Sequence, residues 1–510
     1  MGRIISGERE RTTEQIEERA LKAASGFKEL GLGDDDTVAV MLRNDFSFLE
    51  ASRGATYMGG FAVPVNWHFK GQEVEYILNN SKAKALVIHA DLLPQVEGAV
   101  PEGVAILVVE TPPEVAKAYG IPAGNTTTPP QMMDWDEWLA GFSPIDDPSM
   151  TSRGSMFYTS GTTGNPKGVK REPMQREGAA QIMMHQGAMA WGFTRMDFTA
   201  LITGPLYHSA PNGYLQGVYG IGADLILQPR FDAEDFLRLV EKHKVTHAIM
   251  VPTMFVRLLA LPDEVKNKYD TSSLEFITHG AAPCSPEVKE AMIDWLGPVV
   301  NEYFGGTEIG LITTISSEEA LKKPGSVGKA IAGAHIRIFD EDGNELGPNE
   351  PGEVYVGSDG LPDFTYHELD DKRREIEREG LVCIGDIGFV DEEGYLFLRD
   401  RKVEMVISGG VNIYPAEIEH VLITMPEVHD CAVFGIPDKE FGETLCAYVQ
   451  PEPGMEVGED DIKAFLRERI AGYKVPRVVK FAEDLPREDS GKIFKRKLRE
   501  PYWEGHEARI

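Results

Sequence analysis

The chain has 510 residues, with 51 Lys and Arg against 82 Asp and Glu, a formal net charge of −31. So acidic a surface excludes wrapping of nucleic acid or adhesion to an anionic membrane, and any anionic ligand must be gripped by local positive groups. Four widely spaced cysteines (Cys284, Cys383, Cys431, Cys446) imply neither a disulfide framework nor a zinc site, which fits a reducing, cytoplasmic setting. No apolar run reaches the roughly 18 residues of a bilayer span. The opening MGRIISGERE lacks the apolar core of a secretory leader. Gly2 and Ser6 fit a myristoylation pattern too short to be specific. The sequon at Asn125 conflicts with the cytoplasmic setting.

Residues 13–30 read as a helix with Ile16, Ala20, Ala23 and Phe27 along one stripe, ended by the glycines of GLG. Residues 37–42, 84–90 and 105–110 are β-rich runs that read as buried strands. Alternation of such runs with longer amphipathic segments predicts α/β layers with mostly parallel strands. Residues 111–148, rich in Pro and Thr, are expected to wrap the surface. From residue 395 the pattern runs strand, polar turn (400–404), strand, glycine turn, helix. Ile462, Phe465, Leu466 and Ile470 then share one helical face, stopped by GYKVP at 472–476. The expected organisation is a large N-terminal α/β domain, 1–400, and a small mobile C-terminal α+β domain, 401–510, hinged at 400–404.

FYTSGTTGNPKGV (157–169) sets small hydroxyl residues and glycines beside one lysine. It is not a P-loop of the GxxxxGK[ST] type, because Lys167 lies between Pro166 and Gly168. Gly161, Gly164 and Gly168 let the backbone approach an anion and aim N–H groups at it. Ser160, Thr162 and Thr163 add hydroxyls, and Lys167 adds a full charge. A polyphosphate site and a flexible surface loop both fit this composition.

Read whole, the stretch resembles the phosphate loop of the adenylate-forming superfamily: acyl-CoA synthetases, luciferases and peptide-synthetase adenylation domains. Five further segments resemble that family in its order: PLYHSAPNGY (205–214), THGAAPCSP (278–286), NEYFGGTEIG (301–310), residues 382–419 and LPREDSGKIFKRKLR (485–499). The resemblance implies attack of a carboxylate on the α-phosphorus of ATP, giving an acyl-adenylate, followed by capture by coenzyme A, with Mg2+ as cofactor. It implies catalytic roles for Lys492, Thr307, Glu308, His208 and Lys167, with Glu308 and Thr162 facing the metal. Nucleotide contacts fall on Thr159, Ser160, Gly161, Thr162, Thr163, Gly164 and Lys167, on Gly280, Ala281, Ala282 and Pro283, on Glu302, Tyr303, Phe304, Gly305 and Thr307, and on Asp386, Arg401 and Lys492. In this reading Asp386 accepts from the ribose hydroxyls. The acyl pocket takes Tyr207, His208, Ser209, Asn212, Gly280, Gly305 and Gly306, and the CoA tunnel Ser408, Gly409, Gly410, Tyr473 and Lys474.

Taken singly, these residues have plainer readings: a solvated loop acid for Glu308, a turn for Asp386, a hinge salt bridge for Arg401, a charged tail for Lys492 and a buried structural histidine for His208. Three positions depart from the family pattern. Phe304 stands where a tyrosine is usual, which keeps a stacking face and loses a hydroxyl. Gly306 leaves room beside the acyl group and points to a bulky acid. Val403 stands near the expected domain pivot, where Lys or Asp is frequent, and is stiffer at χ1. The implied function is an AMP-forming ligase joining a medium-to-large apolar acid (fatty, aryl or steroid-side-chain) to coenzyme A. A carrier-protein loader, a luciferase-like oxygenase and a non-catalytic adenylate sensor share the motifs. The sensor reading predicts loss of Lys492, Glu308 or Asp386, and all three are present. Lys492 is also an expected acetylation target. A homodimer is common among such enzymes, although no interface is legible here.

Overall fold

Residues Thr13–Glu29 form the helix that the apolar stripe requires, with Ile16, Ala20, Ala23 and Phe27 fully buried. Thr12 caps its start reciprocally with Gln15, and Gly31, at φ 81°, turns the chain out of its end. The computed structural model describes residues 2–159, 166–359, 361–401, 404–408, 411–438, 441–487 and 493–504.

Five strands after this helix make an all-parallel sheet in the spatial order Phe61–Pro64, Thr37–Met41, Ala83–His89, Ala105–Val109, Met133–Asp134. The chain order 2-1-3-4-5 is that of a doubly wound sheet, whose strand direction of travel switches between Thr37–Met41 and Ala83–His89. Asn44, just past that point, is buried. Its amide donates to the carbonyls of Gly204 (3.0 Å) and Gln228 (3.1 Å), and its oxygen accepts from the Leu206 N–H at 3.0 Å. One carboxamide thus joins this sheet to two loops of the next.

Residues 111–148 do more than wrap the surface. They contribute the helices Pro113–Tyr119 and Trp135–Ala140 and the last parallel strand. Trp135 is 1% exposed and donates its indole N–H to the buried Glu50 at 2.9 Å. An indole that reaches a polar partner can be buried in a segment whose composition reads as loop.

The second sheet has fifteen strands. One half is parallel: Arg3–Ser6, Asp224–Leu227, Thr199–Ile202, His247–Met250, Phe276–His279 and Val300–Gly306, with Arg9–Thr12 folded back antiparallel as the edge. From Val300–Gly306 onward the pairing is antiparallel, through Gly310–Ile315, Ser326–Ala330, Leu396–Arg401, Asp386–Val390 and Gly352–Ser358, to a two-residue edge, Glu377–Arg378. This second sheet is therefore mixed, beside a first sheet that is parallel throughout. The expected parallel layers hold only up to the hairpin that carries residues 307–309. A three-stranded antiparallel sheet, Phe157–Thr159, Lys167–Arg171 and Phe364–Tyr366, lies beside that hairpin.

The small C-terminal domain has its own five-stranded sheet, Val411–Ile413, Val406–Ser408, Gly442–Pro451, Val428–Asp438 and Val478–Phe481. The helices Pro415–Leu422 and Glu459–Arg467 pack Ile418, Leu422, Ile462 and Leu466 onto it. Phe465 and Ile470 are partly buried against the same core. Among the described residues no helix is long and apolar enough to cross a membrane.

Candidate active site

Lys167 and Thr159 face each other across the strand pair that flanks the phosphate loop. Both ends of that loop are thereby anchored, while Ser160, Gly161, Thr162, Thr163 and Gly164 lie outside the described residues. The Lys167 ammonium stands 4.9 Å over the Tyr366 ring. The Glu308 carboxylate accepts from the Thr159 hydroxyl at 3.0 Å and from the Tyr366 phenol at 3.2 Å, both on Oε1. Burial, reinforced by Glu308, raises the Tyr366 phenol, so it remains a donor. Arg171, four residues after Lys167, donates to the main-chain carbonyls of Thr307, Glu308 and Pro362, each at 2.9 Å. Burial lowers its guanidinium to about 10, and Glu308 opposes that shift.

The Thr307–Glu308 turn follows a bulge between Phe304 and Gly305. A Cβ on Gly305 would lie 2.2 Å from the Gly310 carbonyl, so the hairpin closes only over glycine. The hydroxyls of Thr307 and Ser209 are 2.8 Å apart. Ser209 opens the helix Ser209–Ile221, for which His208 is the N-cap. Tyr207 is buried edge-on to Trp67, 4.6 Å between centroids, and lies 4.4 Å from the His208 ring. Asn212 is buried and donates to the Leu206 carbonyl at 3.0 Å, so its amide braces this turn. The room expected beside Gly306 is already lined: a Cβ there would meet Ile384 Cδ1 at 2.9 Å and Ile309 Cγ1 at 3.3 Å. Leu361 closes on Gly310 in the same way, at 2.8 Å.

At the turn formed by Gly280, Ala281, Ala282 and Pro283, a Cβ on Gly280 would collide with the Tyr303 carbonyl at 2.6 Å, and Ala281 sits at φ 65°. Non-glycine residues seldom adopt that conformation, and strained turns cluster at binding sites. Beneath it, Glu302 lies in register with His279 on the neighbouring strand and pairs with the Lys289 ammonium, both buried. Burial raises the Glu302 carboxyl and drives the His279 imidazole well below its usual range. The Glu302 side chain is therefore engaged inside the fold. Tyr303 points into the main core, and Phe304 packs against a different cluster.

Asp386 is 8% exposed and directly opposes Arg401 across the Asp386–Val390 and Leu396–Arg401 strand pair. The Arg401 side chain, Val403, Gly409, Gly410 and Lys492 lie outside the described residues. In the small domain, Ser408 and Tyr473 line a cavity of about 440 Å³ with Thr444, Lys463, Arg467 and Arg477. Lys474 turns to Glu417 instead. Sequence reading missed Arg171 and Tyr366, which sit in ordinary strands, and the cations Lys463 and Arg467. Their one legible signal is the four-residue spacing along a helix.

Residues 3–362 match the AMP-binding enzyme family, and residues 417–492 its C-terminal domain. The 2-succinylbenzoate–CoA ligase of Bacillus licheniformis is 31% identical over 97% of this chain and 96% of that protein. The fatty acid–[acyl-carrier-protein] ligase ScoC of Streptomyces coeruleorubidus is 30% identical over 98% of this chain and 92% of its own length. The crystal structure of ATP-bound MatB from Rhodopseudomonas palustris superposes with a TM-score of 0.83 at 26% identity, covering 98% and 96% of the two chains. With both family domains matched and near-full-length similarity, the chain belongs to the adenylate-forming superfamily of AMP-binding enzymes, among its acyl-CoA synthetases.

Proposed function

We propose that this chain is an AMP-forming acid–CoA ligase for a medium-to-large apolar acid. The observation that carries the reading is the convergence of the Glu308 carboxylate, the Thr307–Ser209 hydroxyl pair and the Lys167 strand at one hairpin. In this reading Lys167 and the phosphate loop hold the departing pyrophosphate, and Thr307 donates to the α-phosphate where charge develops. Gly280–Pro283 and Phe304 receive adenine, while Asp386 and Arg401 hold the ribose. Lys492 brings carboxylate and α-phosphate together, and His208 gates the acyl side.

The donors near Glu308 are hard oxygens, which suits Mg2+. Among the described residues no three His, Cys, Asp or Glu converge as a metal cage. A magnesium ion bound through one carboxylate and substrate phosphates needs no such cage. It would neutralise charge on the phosphates; Glu308 would hold it, with Thr162 as the second candidate.

Ile309, Ile384 and Leu361 around the hairpin glycines favour an apolar acid, as does the likeness to an aryl-acid ligase and to a fatty-acid ligase. The cavity lined by Lys463, Arg467 and Arg477 offers cations to the phosphates of coenzyme A beside Ser408 and Tyr473. Rotation of the small domain about residues 400–404 would carry Lys492 away and this cavity toward the adenylate. The similarity to ScoC supports a second reading, transfer to a carrier protein.

The test is pyrophosphate release with Mg2+ and ATP over a panel of acids, with and without coenzyme A. Acid-dependent release, with AMP and a thioester formed from free coenzyme A, is expected. Adenylate that discharges only onto a carrier protein would favour the second reading. Arg467→Ala is expected to raise the KM for coenzyme A while acid-dependent pyrophosphate exchange, which needs no coenzyme A, stays at the wild-type rate.

A further inference from the structure

Each strand of the small three-stranded sheet gives one side chain to Glu308. Thr159 and Tyr366 donate to its carboxylate. Arg171, on the middle strand, reaches its backbone instead. One guanidinium nitrogen, Nη2, donates to the carbonyls of both Thr307 and Glu308. Those carbonyls belong to the two peptide planes that flank the Glu308 Cα, so fixing both fixes its φ and ψ. Nη1 donates to Pro362, in the segment leading into the third strand. Phe364 faces Arg171 across the strand pair, with its ring 5.9 Å from the guanidinium carbon.

We propose that Arg171 is a positioning residue that locks the Glu308 main chain in register with Lys167, so that metal carboxylate and phosphate-binding lysine are held as one rigid unit. The proposal rests on the adenylation reading above. A three-carbonyl clamp needs a planar fork; a lysine at 171 would keep the charge and lose the geometry. The placement also answers the acidic surface: a partly buried cation directly behind the turn adds a permanent positive field where an anionic nucleotide must enter a chain of net charge −31.

The test compares the full-length wild type, Arg171→Lys and Arg171→Gln. The readouts are acid-dependent ATP–pyrophosphate exchange against Mg2+ concentration, calorimetric ATP binding with and without Mg2+, and thermal midpoint. For Arg171→Lys the exchange kcat should fall about 100-fold, the loss typical of a catalytic group displaced by about 1 Å. The Mg2+ dependence should move to higher concentration. ATP binding should weaken in Mg2+ and stay unchanged in EDTA. A merely structural role would lower ATP binding equally in both conditions, in step with the thermal midpoint, and would overturn the proposal. So would a Mg2+ profile matching the wild type, or loss of the fold in both variants. Absence of exchange in the wild type with every acid would instead bring down the adenylation reading, and this inference with it.

Discussion

Glu308 is held by two hydroxyls, Thr159 and Tyr366, and by no side-chain cation among its described hydrogen-bond partners. Hydroxyls orient a carboxylate without neutralising it, which leaves its charge available to a metal. Glu308→Gln keeps the shape and removes that charge. It is expected to lower acid-dependent pyrophosphate exchange by about 100-fold or more, in the range seen when one transition-state charge partner is lost. Unchanged exchange across the Mg2+ range would take Glu308 out of the metal role. The residues named from family-like segments could be found in one dimension because each segment is contiguous. Arg171 could not: next to Lys170 it reads as one more charged strand residue, and its function depends on carbonyls more than 130 positions away. The room inferred from Gly306 failed to anticipate Ile384 for the same reason, since the filling side chain comes from a distant loop.

Among the elements, the strand Val300–Gly306 and the helix Pro286–Leu296 are joined by the buried Lys289–Glu302 pair. Desolvating two charges offsets most of their attraction, so the pair adds little net stability, while removing one partner leaves an uncompensated buried charge. Lys289→Met should therefore destabilise the fold by about 3–5 kcal/mol, read as a lower urea midpoint. The double variant Lys289→Met/Glu302→Leu should recover most of that loss, and no recovery would mean that the pair does more than neutralise itself. Strands such as Thr37–Met41 were legible because a fully buried parallel strand is a run of β-branched and aliphatic residues. The mixed character of the large sheet was not, because the reversal after Gly306 is a two-glycine hairpin whose register is set by close backbone approach. Residues 111–148 show the opposite failure: loop-like composition conceals Trp135, whose burial depends on a partner, Glu50, in another helix.

At the scale of the whole molecule, five histidines among the described residues (His243, His247, His279, His367 and His420) are held below their ordinary range, burial being the first cause each time. A group whose folded pKa is depressed is protonated more readily in the unfolded chain. Its contribution is complete above the unfolded value, about 6.5, and is lost as the pH falls toward the folded value. The fold should therefore weaken on acidification below about pH 6.5. The fully buried His279, driven well below its ordinary range, should add up to about 1.4 kcal/mol per pH unit over that interval, and His247 acts in the same direction. Urea midpoints at pH 7.5 and 5.5 measure the loss, and His279→Leu should reduce the slope by close to one proton. An identical slope in that variant would remove His279 from the account.

Among the described residues, the strand path of the fifteen-stranded sheet ends at two margins, and Ala334–Phe339, paired only with Gly352–Ser358, adds a third edge beside that path. One end of the path is the four-residue strand RERT, Arg9–Thr12, whose two arginines are tied to Asp45, Glu114 and Glu50; the other is Glu377–Arg378, two residues long. A large sheet is a template for unwanted pairing wherever its rim is long, flat and apolar. Here one rim is crowded with charge and the other ends before a neighbour could register on it. A crowded cell would find little purchase at either of these two ends, and that guards them against aggregation without involving any residue of the catalytic hairpin.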